Sequence, residues 1–548
     1  MLALALAGCQ GAIQDPHRAL DGEDRTSPSA RDVAADFTPD APRIRLLGAR
    51  EYRNTIRDLL GVEASPALHY GDTSTGFDNA AGTQIDESLF SVLFVEAERV
   101  AREYVGGDMA LDFPCFDPET ALDEACVASV VDDLGRRAFR RPLDEETRAP
   151  LLAYGASVAA ESSDSTQAAE LLTTRILMSP RFLYRTEVGE VRSDGTGMAS
   201  LDPFERASLI SYTLTGSMPD AALLEDAETD LLDEPRIRHH VRRLLATEAG
   251  RIQMVELFQQ WLRAGELDHM AEEPEDYPKL GGPELGRSLH AELGAFVAGV
   301  VLDGDGTFAD LITHDFVYVD RHTAPLYGLD SGSEVLEALP LSEGRPGGVL
   351  TLASVLAVHS SSAEIGRDNP IHRGLLVKNQ LLCEVVDLPS GLDLQEAVAA
   401  LGDVPDLDAL TTRELLEAVM QQGESCQDCH ATFMPFGFLW SNFDALGQYQ
   451  THFNGRPLDS SVDEVHLDGH ASGYPSAAEF LPDLAASPQA AACFRVQVAR
   501  FATGAVEPAI AALLSGDGAA GFGGTDLHIL QLIEDLLASP ELYLREGP

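Results

Sequence analysis

Cys426-Gln427-Asp428-Cys429-His430 constrains this chain more than any other stretch. Two cysteines three positions apart, with a histidine directly after them, match the attachment signature of a covalently bound c-type haem. Thioether bonds through both sulfurs tether the porphyrin, and the adjacent imidazole of His430 is then held where it can bond the iron from one side. The main rival is a structural zinc ion, since Cys2His ligation is known. A fourth cysteine is missing nearby, and consecutive Cys429 and His430 sit awkwardly on one metal; a redox disulfide is the remaining alternative.

At 548 residues the chain is too long for one core, and roughly three to five domains are expected. A hydrophobic share of 45% and a mean hydropathy of −0.06 describe a chain able to bury ample apolar surface. No run of 18 or more apolar residues spans a bilayer. The formal charge is −51, with Lys279 and Lys378 the only lysines. Such a balance opposes nucleic acid and anionic lipid headgroups. It leaves either a solvated acidic surface or a docking face for a basic redox partner protein.

The amino terminus is apolar and ends in Leu6-Ala7-Gly8-Cys9, which resembles a bacterial lipobox with Cys9 as the lipidated residue. Its cationic start is missing and its apolar core is short for a secretory signal. The Asp-, Ala-, Pro- and Ser-rich stretch from Gln10 to Pro42 then reads as a disordered tether. With Cys9 for lipid and Cys426 and Cys429 for haem, four cysteines remain, Cys115, Cys126, Cys383 and Cys493. Four allow three pairings. Cys115 with Cys126, flanking an acidic loop, is the preferred pair and leaves Cys383 with Cys493; buried free thiols are the alternative.

From Arg43 the apolar spacing is helical. Leu46, Leu47, Ile56, Leu59 and Leu60 form a stripe ending at Gly61, and a second helix starts near Asp86. Helices are expected over Val127–Phe139, Asp144–Ala160, Gln167–Met178, from Pro203 through Tyr212, and twice between Pro235 and Trp261. The basic run Arg136, Arg137, Arg140 and Arg141 reads as helix-end ion pairing rather than an anion site. Ser179-Pro180-Arg181-Phe182-Leu183-Tyr184-Arg185 is echoed near the end of the chain by Ser539-Pro540-Glu541-Leu542-Tyr543-Leu544-Arg545. Asp315 to Asp320 alternates and reads as a short edge strand or an extended loop, and Asp303-Gly304-Asp305-Gly306 reads as a turn rather than a calcium loop. Further helices are expected over Leu350–Val358, Arg373–Leu382 and Thr412–Met420, the last opened by a capping box of Thr411 and Glu414. Met434-Pro435-Phe436-Gly437-Phe438 is expected to break regular structure.

Cys426 to His430, Pro435-Phe436-Gly437-Phe438-Leu439 and Asn442-Phe443-Asp444-Ala445-Leu446-Gly447 closely resemble the cytochrome-like module of large multidomain proteins first noted in planctomycetes and common in myxobacteria. Gly348-Val349-Leu350-Thr351, Arg373-Gly374 and Leu381-Leu382-Cys383 are similar to the start of that module. Arg50 to Leu60 with Phe77-Asp78-Asn79, Arg137 to Leu143, Ser179 to Arg185 with Pro219-Asp220 and Trp261-Leu262, and Cys493 to Gly504 look like its companion domains. Met434 departs from the pattern, because the family usually carries an acidic residue or Asn there. The resemblance implies a mainly α, multidomain helical protein with a C-terminal c-type cytochrome-like module. The expected division is a lipoprotein signal at 1–9, a tether at 10–42, an N-terminal helical domain at 43–108, a disulfide-bearing domain at 115–162, a central domain at 163–335, the haem module at 345–455 and a C-terminal domain at 475–548.

Covalent haem c is the expected cofactor, held by Cys426, Cys429 and His430, with His430 the proximal iron ligand. Haem attachment happens outside the cytoplasm, which agrees with the lipobox and the spare cysteines and points to a periplasmic or outer-membrane lipoprotein anchored through lipid only. Distal candidates are Met420, His452, His466, His470 and His359. Met434 is set aside, since four residues from His430 it would have to cross the porphyrin edge at once. Phe433, Phe436, Phe438 and Trp440 line the haem pocket or form an ordinary aromatic core. The expected function is electron transfer through a monohaem centre; the alternatives are a haem oxidoreductase on an extracytoplasmic substrate and a structural or interaction lipoprotein. No Ser-His-Asp elbow, phosphate loop or H-E-x-x-H helix supports hydrolysis or phosphoryl transfer, and no catalytic residue is assigned.

Overall fold

Aspartate opens helix after helix in this chain. The computed structural model describes residues 41–70, 76–79, 84–162, 164–272, 282–304, 306–360, 367–384, 386, 409–420, 424–505, 514 and 527–547, with the backbone alone at 268, 272, 419, 420 and 424–429. The expected lipobox at Cys9, nearly all of the 10–42 tether, the 387–408 linker and the loop from Gly516 to Gly524 lie outside the described residues. Within them the chain is mainly helical. They divide into two units, one of 41–254, 499–505, 514 and 534–547 and one of 255–498 and 527–533.

The first unit starts with β1 (Arg43–Leu46) and α1 (Ala49–Leu60), then α2 (Glu87–Gly106), α3 (Glu124–Phe139), α4 (Glu145–Glu161) and α5 (Ser165–Leu177). After β2 (Tyr184–Glu187) come α6 (Pro203–Thr215), α7 (Ala221–Glu228) and α8 (Glu234–Leu245). Asp86, Asp123, Asp144, Asp164, Asp202, Asp220 and Asp233 cap α2 to α8 in turn, each side chain accepting from the backbone N–H three residues on. Each cap satisfies a donor that the helix leaves unpaired and sets a negative charge at its positive end, worth about 1 kcal/mol. Leu47, Tyr52, Ile56, Leu93, Val100, Tyr104, Val130, Leu134, Leu172 and Ile176 fill the core between these helices.

Charge is also buried in this unit. β1 and β2 pair antiparallel, Arg43 opposite Glu187 and Leu46 opposite Tyr184. Glu187 accepts from Arg45 at 2.9 Å and from Arg545 at 2.9 Å, while Arg185 meets Glu51 at 3.0 Å. Of the basic run, Arg136, Arg137 and Arg141 pair with Glu228, Asp133 and Asp202, the ion pairing read from the sequence. Arg140 differs: it caps α3 in the left-handed region (φ 61°). From there it donates to the carbonyls of Arg181, Phe182 and Tyr184. The two Ser-Pro echoes share a form, a single helical turn running into a strand, at Pro180–Leu183 before β2 and at Pro540–Tyr543 before Leu544–Glu546.

The second unit holds α9 (Pro283–Val297), the hairpin of β3 (Phe316–Val319) and β4 (Glu337–Pro340), α10 (Ala353–Val358), α11 (Pro370–Leu376), α12 (Thr412–Met420) and α13 (Glu424–Phe438). It continues through β5 (His452–Phe453), β6 (Arg456–Pro457), β7 (Val462–Leu467), β8 (His470–Tyr474), α14 (Ala477–Ala486) and α15 (Pro488–Thr503), whose residues from Ala499 on are counted in the first unit. Pro283–Leu302 is long and apolar enough to cross a membrane by length and composition. In this fold Leu289, Leu293 and Phe296 are core residues, and buried Glu292 accepts from the Tyr327 hydroxyl at 2.7 Å and the Ser354 N–H at 2.8 Å. The capping box at α12 forms, the Thr411 N–H donating to Glu414 at 2.8 Å and the Glu414 N–H to Thr411 Oγ1 at 3.2 Å. Cys115 is bonded to Cys126, and Cys383 to Cys493 of α15.

One expectation is corrected. Met434 to Phe438 does not break regular structure but forms the last turn of α13. Proline at 435 removes one helical hydrogen bond, and the carbonyl it leaves is that of Ala431, an exposed position. Gly437 serves packing. A Cβ there would stand 1.8 Å from the Pro370 carbonyl oxygen, and one at Gly374 would stand 2.2 Å from that of Phe433. α11 and α13 therefore cross backbone to backbone through two glycines, and that contact holds the helix through its unfavourable residues.

Candidate haem-attachment site

The attachment signature lies on one continuous helix. Cys426, Cys429 and His430 occupy positions i, i+3 and i+4 of α13, a spacing that shares one helix face. The structure describes only the backbone of the two cysteines. His430 is half-buried, and its Nδ1 lies 2.9 Å from the Met434 sulfur one turn on. The Phe433 ring centroid is 5.2 Å from its own. Burial lowers the pKa of the His430 imidazole from its usual value. A thioether only accepts, so a hydrogen bond here would place the hydrogen on Nδ1, the tautomer that leaves the lone pair on Nε2. A neutral imidazole with its lone pair on Nε2 is a form that iron can bind, and in this the residues present fit a haem.

The segment behind α13 is tied by a buried arginine that composition does not reveal. Arg373, 2% exposed, donates to the carbonyls of Trp440 at 3.1 Å, Phe443 at 2.6 Å and Asp444 at 2.6 Å, and to Ser360 Oγ at 2.9 Å. Burial lowers its pKa to about 10, so it stays a cation at neutral pH. Asp444 Oδ1 accepts the N–H groups of Leu446 and Gln448, both at 2.9 Å. Arg345 donates to the Gly447 carbonyl at 3.0 Å. The Asn442 to Gly447 motif is thus a turn fastened by Arg373 and Arg345.

The aromatics divide. Phe433 borders His430, whereas Phe436 and Trp440 pack on Phe480 of α14, and Trp440 donates its indole N–H to the Leu350 carbonyl at 3.0 Å. Phe438 lies under the Arg413 guanidinium at 4.7 Å. Among the distal candidates, His359 is half-buried and its Nε2 donates to the Leu262 carbonyl at 2.8 Å, which commits that nitrogen to the core. Burial pushes its pKa down to about 4. It lines, with Leu350, Arg373 and Trp440, a cavity of about 10 Å³, the size that admits one water. His452, His466 and His470 are exposed on β5, β7 and β8, His466 facing Glu464 at 3.0 Å. The Met420 side chain lies outside the described residues. The side chain found beside His430, Met434, is the one set aside as an iron ligand, and it meets Nδ1.

The chain is similar to four family models, each described as a protein of unknown function. They are PSD3 (DUF1587) over residues 45–106, PSD5 (DUF1595) over 126–187, PSD4 (DUF1592) over 201–329 and PSCyt3 (DUF1588) over 346–453. No curated protein and no solved structure matches it. The four matches are of planctomycete type, and a chain carrying them in this order is consistent with a planctomycete cytochrome C-like multidomain family.

Proposed function

We propose that this chain is an exported c-type monohaem protein that transfers electrons, with haem attached through Cys426 and Cys429 and its iron bound by His430. The observation that carries this reading is the placement of all three residues on α13, within the PSCyt3-like segment, with the His430 Nδ1 turned to the Met434 sulfur. Haem so bound supplies a one-electron couple. The protein holds the imidazole, keeps water from one side of it with Phe433 and Met434, and braces α13 against α11.

Attachment needs the Cys426 and Cys429 thiols kept reduced until the maturation system acts outside the cytoplasm, and the Cys115–Cys126 and Cys383–Cys493 disulfides support an extracytoplasmic compartment. A lipid at Cys9 would place the protein in the periplasm or on the outer membrane, where its acidic surface suits a basic redox partner. The test is an absorption spectrum of the protein produced with a c-type maturation system, recorded with and without carbon monoxide. A closed electron-transfer centre gives a ferrous spectrum that carbon monoxide leaves unchanged. Ready carbon monoxide binding would move the assignment to a haem oxidoreductase with an open sixth position.

A further inference from the structure

We infer that Met434 is a positioning residue for His430: its thioether accepts the Nδ1–H, fixes the tautomer that presents Nε2 to the metal, and keeps the imidazole a modest electron donor. The role toward iron rests on the reading of His430 as a haem ligand; the tautomer does not.

Four features make the contact more than proximity. The Nδ1 to Sδ distance is 2.9 Å. Met434 is 1% exposed, so water does not compete for the nitrogen it meets. Both residues sit one turn apart on α13, where i and i+4 side chains are neighbours, and the Phe433 ring flanks the imidazole. Turning the ring over would set a carbon against the sulfur and forfeit the bond.

The identity of the acceptor then matters. A ligating histidine ordinarily donates its other N–H to a carboxylate, carbonyl or water, which fixes its orientation and raises its basicity. Sulfur is a weak acceptor. It performs the first task and little of the second, so the imidazole draws less negative character from its partner and favours the ferric iron less. Met434 therefore sets the redox couple higher than an oxygen acceptor at the same place would.

The experiment compares the wild-type chain with M434L, which keeps the volume and loses the acceptor, and M434Q, which offers an amide oxygen. Nitrogen-15 spectra of selectively labelled, haem-free protein, with His430 assigned by an H430A variant, report the tautomer. The expected result is hydrogen on Nδ1 in the wild type and M434Q and a mixture in M434L. Hydrogen on Nε2 in the wild type would overturn the inference whether or not haem is ever attached. In haem-loaded protein, M434Q should lower the ratio of reduced to oxidised form at fixed potential, a downward shift of the midpoint. An unchanged midpoint in M434Q with haem retained would refute the electronic role. Failure of haem to attach at all would strike the proposed function and leave the tautomer result standing.

Discussion

Gly437→Ala inverts the usual effect of this substitution, and the structure sets its size. In a helix interior open to solvent, alanine is favoured over glycine by about 0.5–1 kcal/mol. At Gly437 the new Cβ would stand 1.8 Å from the Pro370 carbonyl oxygen and 2.5 Å from its carbon. Relaxed carbon contacts lie at about 3.5–4.0 Å, so α11 and α13 must separate by well over about 1 Å. Both groups are backbone within helices, and neither can swing aside as a side chain would. Overpacking of this kind costs about 1–3 kcal/mol or more, which exceeds the propensity gain. The net expectation is a loss of about 2 kcal/mol, read as a melting temperature lower by about 4–8 °C. Circular dichroism melts of G437A beside G106A measure it, since a Cβ at Gly106, the last residue of α2, meets nothing within 4 Å. A G437A protein as stable as G106A would refute the account of the α11–α13 crossing.

At Glu187 burial alone would raise the pKa, but Arg45, Arg43, Arg545 and Arg185 outweigh it and hold the carboxyl well below its ordinary range. A depressed folded-state pKa contributes stability that is present above the unfolded pKa and lost as pH falls through the folded one. The first unit should therefore lose stability below about pH 4, and E187Q, which strands buried arginines, should cost about 3–5 kcal/mol at neutral pH in denaturant titrations. His359 is also depressed, to about 4, so melting temperature should fall between about pH 6.5 and 4 by an amount equivalent to roughly 3 kcal/mol; H359Q should lack that slope. The Cys383–Cys493 bond closes 110 residues and Cys115–Cys126 closes 11, so loop entropy predicts about 5 and about 3 kcal/mol respectively. Paired serine variants compared by chemical unfolding should show C383S/C493S as the weaker protein.

What could be read in advance was local. The Thr411 and Glu414 box and the Asp86 and Asp202 starts need only residues within one turn, and each forms as read. Pro435 and Gly437 misled because their intrinsic preference is to end helices, while the contact that overrides it belongs to Pro370 and Gly374, more than sixty residues away. Arg45, Glu187 and Arg545 meet across separations of 142 and 358 residues, and nothing near any of them announces the cluster. His359 carries the same symbol as an iron ligand, and only its bond to Leu262 distinguishes it. Two hairpins were legible and missed. Asn454-Gly455 and Asp468-Gly469 have positive φ at both residues, the signature of the tight turns that join β5 to β6 and β7 to β8. The His430–Met434 contact could have been suspected from their spacing of four, had the helix been carried through Pro435.

Covalent haem at Cys426 and Cys429 is the claim on which the rest depends. The direct measurement is haem staining after denaturing electrophoresis of the wild type, C426S, C429S and C426S/C429S, all made in cells that load a known c-type cytochrome in parallel. A stained wild-type band, weaker in each single variant and absent in the double variant, is the predicted result. An unstained wild-type band beside a stained control, or full staining of the double variant, would contradict it.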